Sequence, residues 1–68
     1  MNLQVFSDGC RLWIEDPNVS RDDPEAIMVR FRVPHNSKGT IPKRAEKRIL
    51  AIARTMADAA NKAHPDHE

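Results

Sequence analysis

Tyrosine is absent from this chain, cysteine occurs once, glycine twice, and no apolar run approaches the length needed to span a bilayer. Each shortage removes an option. With Cys10 alone, no disulfide can staple the chain, so packing or a partner must hold it; this fits a reducing compartment and an expected cytoplasmic location. Residues 1 to 6 mix Asn2 and Gln4 with apolar positions and have no preceding basic segment, so no signal peptide is read there. Two glycines cannot make a phosphate-cradling loop, and Ser7 and Ser20 lack the setting of a nucleophile elbow. Cys10 and His35 could act together only if the fold joined them. Nor does a chain of 68 residues have much volume for a closed pocket. The expectation is a protein with no enzymatic activity, no cofactor and no metal.

What remains is an ordinary globular composition, 40% hydrophobic and 31% charged, enough for one small core. Net charge is only +1, from 11 Lys and Arg against 10 Asp and Glu, which argues against binding polyanions through bulk charge. The distribution is uneven. Residues 15 to 25 hold five acids (Glu15, Asp16, Asp22, Asp23, Glu25) and one base, Arg21; residues 35 to 48 hold Lys38, Lys43, Arg44, Lys47 and Arg48 against Glu46.

The segments LQVFS and CRLWIE flank Asp8-Gly9, a pair suited to a two-residue type I′ hairpin turn. That turn sets Val5 against Leu12 and Phe6 against Arg11. Leu3, Val5, Leu12 and Ile14 then share one face, and Gln4, Phe6, Arg11 and Trp13 the other. Pro17, Pro24 and the acids mark residues 16 to 25 as a loop. From 26 to 33 the sequence alternates as a third strand, with Ile27, Val29, Phe31 and Val33 on one side and Met28, Arg30 and Arg32 on the other, until Pro34 ends it. HNSKG is turn material, Thr40 is placed to cap a helix, and Pro42 sits where its missing N–H is harmless. From Lys43 to about Ala63 both propensity and period are helical, and Pro65 stops the run.

A projection at about 100° per residue puts Ile41, Ala45, Ile49, Ile52, Ala53, Met56, Ala59, Ala60 and Ala63 on one stripe, with Leu50 and Ala57 beside it. The predicted fold is therefore α+β: a three-stranded antiparallel sheet with one C-terminal helix packed on one face, spanning residues 1–64 as a single βββα domain and leaving 65–68 as a polar tail. Ile49, Ile52 and Met56 are expected to supply the bulk against Leu3, Val5, Leu12, Ile14, Val29 and Phe31. At about 33 Å against roughly 23 Å for a seven-residue strand, the helix should overhang the sheet.

One helix shields one face. The other face presents Phe6, Arg11, Trp13, Met28, Arg30 and Arg32, residue types enriched at interface centres, so it is the expected partner-binding surface. Two plainer roles remain open for it: an ordinary solvated face with Trp13 and Phe6 under the arginine stems, or a homodimer contact. Lys38, Lys43, Arg44, Lys47, Arg48 and Arg54 form an alternative set. Basic residues in the first helical turns oppose the helix dipole, which phosphate binding would explain, so a DNA- or RNA-binding regulator is the competing reading. The acidic loop lacks EF-hand spacing, and His64 and His67 flank Pro65 in a terminal tail, so neither is read as a metal site.

In layout the chain is similar to the arm-binding domains of phage integrases and to plant AP2 domains, three strands and a helix with Arg and Trp on the open sheet, a resemblance that implies DNA contact by the sheet. GTIPKRAEKRILAIA resembles the stretch that opens the last helix of double-stranded-RNA-binding domains, though the N-terminal helix of that family is missing. No residue role is carried over from either. In size and composition the chain resembles phage and mobile-element regulators, including anti-CRISPR proteins, which implies stoichiometric inhibition of a partner protein.

Overall fold

The computed structural model describes residues 1–64, and in it the chain runs β1 (Gln4–Ser7), β2 (Leu12–Glu15), β3 (Met28–Arg30), α1 (Lys43–Ala63). The three strands form one antiparallel sheet in the order β1-β2-β3, and α1 packs on one face, an α+β arrangement. The expected tail, with His67, lies outside the described residues.

The hairpin forms, but not in the register that an Asp-Gly turn dictates. Val5 pairs with Ile14 and Phe6 with Trp13, two residues away from the expected partners. The reason lies in Asp8. Its carboxylate accepts the backbone N–H groups of Cys10 (2.9 Å) and Arg11 (2.7 Å), fixing it as the residue before the turn. Asp8 N–H then bonds the Arg11 carbonyl, and Gly9, at φ 89°, takes the first central position, where a type II′ turn uses glycine. A shift of two residues preserves which side chains share a face. The predicted two-face pattern therefore survives the error.

β3 is shorter than the predicted 26–33. Ala26 N–H is taken by a turn to Asp23, and beyond the Phe31 N–H bond to Leu12, β2 has already entered its hairpin. Thr40 does not cap the helix: Pro42 holds that position with no side-chain cap, while the Thr40 hydroxyl bonds the Asn36 side chain. Asn36 also receives the N–H groups of Lys38 and Thr40, and Gly39, at φ 81°, closes this loop.

The buried core is Leu3, Leu12, Ile14, Ile41, Ala53 and Ala57, with Val5, Phe31, Val33, Ile49, Leu50 and Ala60 around it. This corrects the predicted stripe. Ala57 is buried, whereas Ile52 and Met56 are 49% and 45% exposed, so α1 is rotated by about 80° on a helical projection from the expected orientation. Alanines at 53 and 57 let the helix backbone come close to β1 and β2, and polar links on the β1 side set the angle. Leu3 N–H donates to Asn61 Oδ1 (2.7 Å), Asn61 Nδ2 donates to the Leu3 carbonyl (3.0 Å), and the Ser7 hydroxyl donates to Glu46 (3.1 Å). The chain before β1 thus runs alongside the C-terminal half of α1, and the Met1 ammonium donates to the His64 carbonyl. The predicted overhang is met by this segment.

Candidate functional site: an arginine-lined cleft on the open sheet face

Alternation fixes the outer face. Since Leu12 and Ile14 are buried under α1, Trp13 and Glu15 must point the other way, and the registers line up Phe6, Trp13 and Arg30 in one row across the sheet. α1 lies against β1 and β2 from the opposite side, so no element of the described chain covers this row. All six sequence-predicted partner residues belong to this face. Arg11, Arg30 and Arg32 are exposed, and Phe6, Trp13 and Met28 are half-buried.

Trp13 is held from three sides. Phe6 stacks on it with ring centroids 5.7 Å apart and planes 20° from parallel, and the Arg11 guanidinium carbon lies 5.8 Å from the indole centroid. Its Nε1–H donates to Glu15 Oε1 at 2.8 Å. Glu15 in turn accepts a two-pronged contact from Arg21, Nε to Oε2 at 3.1 Å and a terminal nitrogen to Oε1 at 2.7 Å. That guanidinium first, and the indole N–H second, hold the Glu15 carboxyl below its ordinary titration range. The indole is thereby fixed in orientation before any partner arrives.

Beside this indole lies a cleft of about 310 Å³, at the small end for a ligand site. Four guanidiniums line it, those of Arg11, Arg21, Arg30 and Arg32, and no carboxylate does. Two are already neutralised, Arg11 by Asp8 at 2.8 Å and Arg21 by Glu15 at 2.7 Å. Asp8 is held below its usual range by the Cys10 and Arg11 N–H groups and then by the Arg11 side chain. Arg30 and Arg32 have no ion pair among the described residues and stand one strand repeat apart on the same face. Two unpaired like charges this close repel, and an anion between them reverses the sign of that interaction.

Arg21 and Glu15 were not among the expected site residues, and His35 was considered only beside Cys10. Glu15 follows Trp13 by two and so shares its face, a signal that was available; Arg21 comes from the acidic loop, and only the fold returns it to the sheet. His35 does meet residue 10, yet through its ring nitrogen Nε2 and the Cys10 carbonyl oxygen at 2.7 Å, not through the thiol.

The alternative basic set is not part of this cleft. Lys43, Arg44, Lys47, Arg48 and Arg54 are all exposed along α1, and Lys38 sits in the Asn36 loop. One ligand lying on the outer face would not reach them. Arg44 and Arg48 instead rim a separate apolar hollow between Pro34 and Ile49. The acidic loop uses its side chains locally, Asp16 accepting the N–H groups of Asn2 and Asn18, and Asp23 that of Glu25. No group of three or more His, Cys, Asp or Glu gathers among the described residues, and no described helix is long and apolar enough to cross a membrane.

No protein-family model matches the chain, and comparisons with curated proteins and with solved structures likewise return no match.

Proposed function

We propose that the protein is a small binding module that acts by occupancy rather than by catalysis, placing its outer sheet face on a partner protein or nucleoprotein complex as a stoichiometric inhibitor or regulator. One observation carries this reading: an oriented Trp13 beside the unpaired Arg30 and Arg32, on a face that the described chain leaves open. Aromatic and arginine anchors of this kind dominate binding energy where they are desolvated by a partner. The mixed chemistry, four arginines in the cleft with Glu15 and the acidic loop at its border, suits a protein surface carrying an acidic group that fits between Arg30 and Arg32.

Since no carboxylate lines the cleft, a second reading has specific support: the occupant is a nucleic-acid phosphate, with the bases near Trp13. Salt separates the two. Capture of partners from host lysate by the wild type, Trp13→Ala and Arg30→Ala/Arg32→Ala, at about 0.1 M and about 1 M salt, tests both. A protein partner should persist at high salt and be weakened roughly 30-fold or more by Trp13→Ala, with the fold intact by circular dichroism. A nucleic acid should dissociate log-linearly as salt rises. Unchanged capture by both variants would place the function elsewhere, with the basic face of α1 the next surface to examine.

A further inference from the structure

We propose that β3 is a dimerisation edge, pairing antiparallel with β3 of a second copy so that Val29 meets Val29 of that copy at the two-fold axis. Phe31 N–H donates to the Leu12 carbonyl, so by the two-residue period Val29 pairs with Ile14 through hydrogen bonds as well. The N–H and C=O groups of Met28, Arg30 and Arg32 therefore point away from β2, toward an edge that no other strand of the described residues occupies.

Charge then selects the register. Antiparallel pairings centred on Arg30, Phe31 or Arg32 each set one arginine against another, which is unfavourable. Centring on Met28 makes a single mutual pair, because the Ala26 N–H is already bonded to Asp23. Centring on Val29 sets Met28 against Arg30 of the second copy, and Arg30 against its Met28, giving about four backbone hydrogen bonds. It also brings Arg32 opposite Ala26 of the other chain, next in sequence to Glu25 and the acidic loop. This register alone uses every open group of Met28 and Arg30 and opposes no like charges.

The apolar pattern agrees. The large hydrophobics exposed among the described residues are Ile27 (43%), Val29 (36%), Ile52 and Met56. An α-helix, about 10 Å across, covers roughly two strands spaced about 4.8 Å apart, so α1 shields β1 and β2 and leaves the inner face of β3 bare. In the dimer Val29 packs on its counterpart and Ile27 on Phe31 across the axis. Pro34 and Ile49 border one hollow, which places the Ile49 flank of α1, and with it Ile52 and Met56, on the β3 side. Four strand spacings, roughly 19 Å, would separate the two helices, so Ile52 and Met56 would not touch across the axis. The outer faces stay open, and the two arginine clefts become neighbours on one six-stranded sheet. The inference is independent of what those clefts bind.

Sedimentation across a concentration series should show the mass doubling, with Val29→Lys raising the dissociation constant at least tenfold, Val29→Glu doing the same, and an equimolar mixture of the two restoring a mixed dimer. Ile52→Ser should leave the dimer unchanged. In a Cys10→Ser background, Val29→Cys should oxidise to a covalent dimer at least tenfold faster than Gln4→Cys on the opposite edge, since facing residues of a non-bonded pair lie within disulfide reach. A mass that stays at one chain at high concentration overturns the proposal, as does equal cross-linking at residues 4 and 29. Circular dichroism of each variant separates a lost dimer from a lost fold.

Discussion

The two faces of this sheet solve opposite problems with side chains taken alternately from the same strands. On the inner face Leu12 and Ile14 are 1% and 2% exposed, and the buried helix residues that share their cluster are alanines. On the outer face Trp13, their neighbour in sequence, keeps an edge toward a cleft and is positioned by a carboxylate, a guanidinium and a second ring. Size governs one face and direction governs the other. Inside, the alanines let a single helix seal two strands; outside, hydrogen bonds and ion pairs hold an indole and, among the described residues, leave two arginines unneutralised. A packing error inside therefore costs stability, whereas a change outside alters what the surface can hold.

That contrast can be broken most forcefully from within. Leu12→Ala or Ile14→Ala removes a fully enclosed side chain and should destabilise by about 2–5 kcal/mol, a large share of what so small a chain has, leaving much of the protein unfolded in thermal or urea melts. Asn61→Ala comes next. It strips the Leu3 N–H and C=O of part-buried partners at once and should cost about 1–3 kcal/mol in urea titration, while leaving the outer cleft intact.

Acid sharpens the outer half of the comparison. Glu15 and Asp8 both titrate below their ordinary values in the folded chain, so they contribute stability that is fully present above those values and is lost as pH falls through the lowered ones. Melting temperature should hold from about pH 7 to about pH 5 as far as these groups are concerned, then decline toward about pH 3. Arg21→Ala removes the leading cause of the Glu15 shift and should flatten part of that decline; an unaltered acid limb would mean that the ion pair does not persist in solution. The smallest effect is expected on the exposed flank of α1. Ile52→Ala and Met56→Ala should each change stability by less than about 0.5 kcal/mol in dilute solution, in contrast to the same truncation at Leu12.

Much of this architecture could be read without coordinates. Period-two alternation from Leu3 to Ile14 and from Ile27 to Val33, followed by 21 helical residues, gave three strands, one helix and the membership of each sheet face. Those follow from local sterics and the burial of apolar groups, which repeat along the chain. The six expected partner residues share the open face for the same reason. What the pattern could not fix were choices among near-equal local options. Asp8-Gly9 suits a type I′ turn, yet two backbone N–H groups captured by the Asp8 carboxylate favour Gly9-Cys10. Ile52 and Met56 are larger than Ala53 and Ala57, so hydropathy alone turns them inward; close approach, with Asn61 and Glu46 anchored to the β1 side, turns them out.

By itself, then, the sequence determined the element types, their order, and the sorting of side chains into two faces, because each depends on neighbours a few residues apart. Tertiary structure alone decided the hairpin register, the rotation of α1, the return of Arg21 from the acidic loop to the cleft, and the bare flank of β3. Those depend on which distant groups meet and on how wide a helix is compared with a strand, quantities that no local pattern carries.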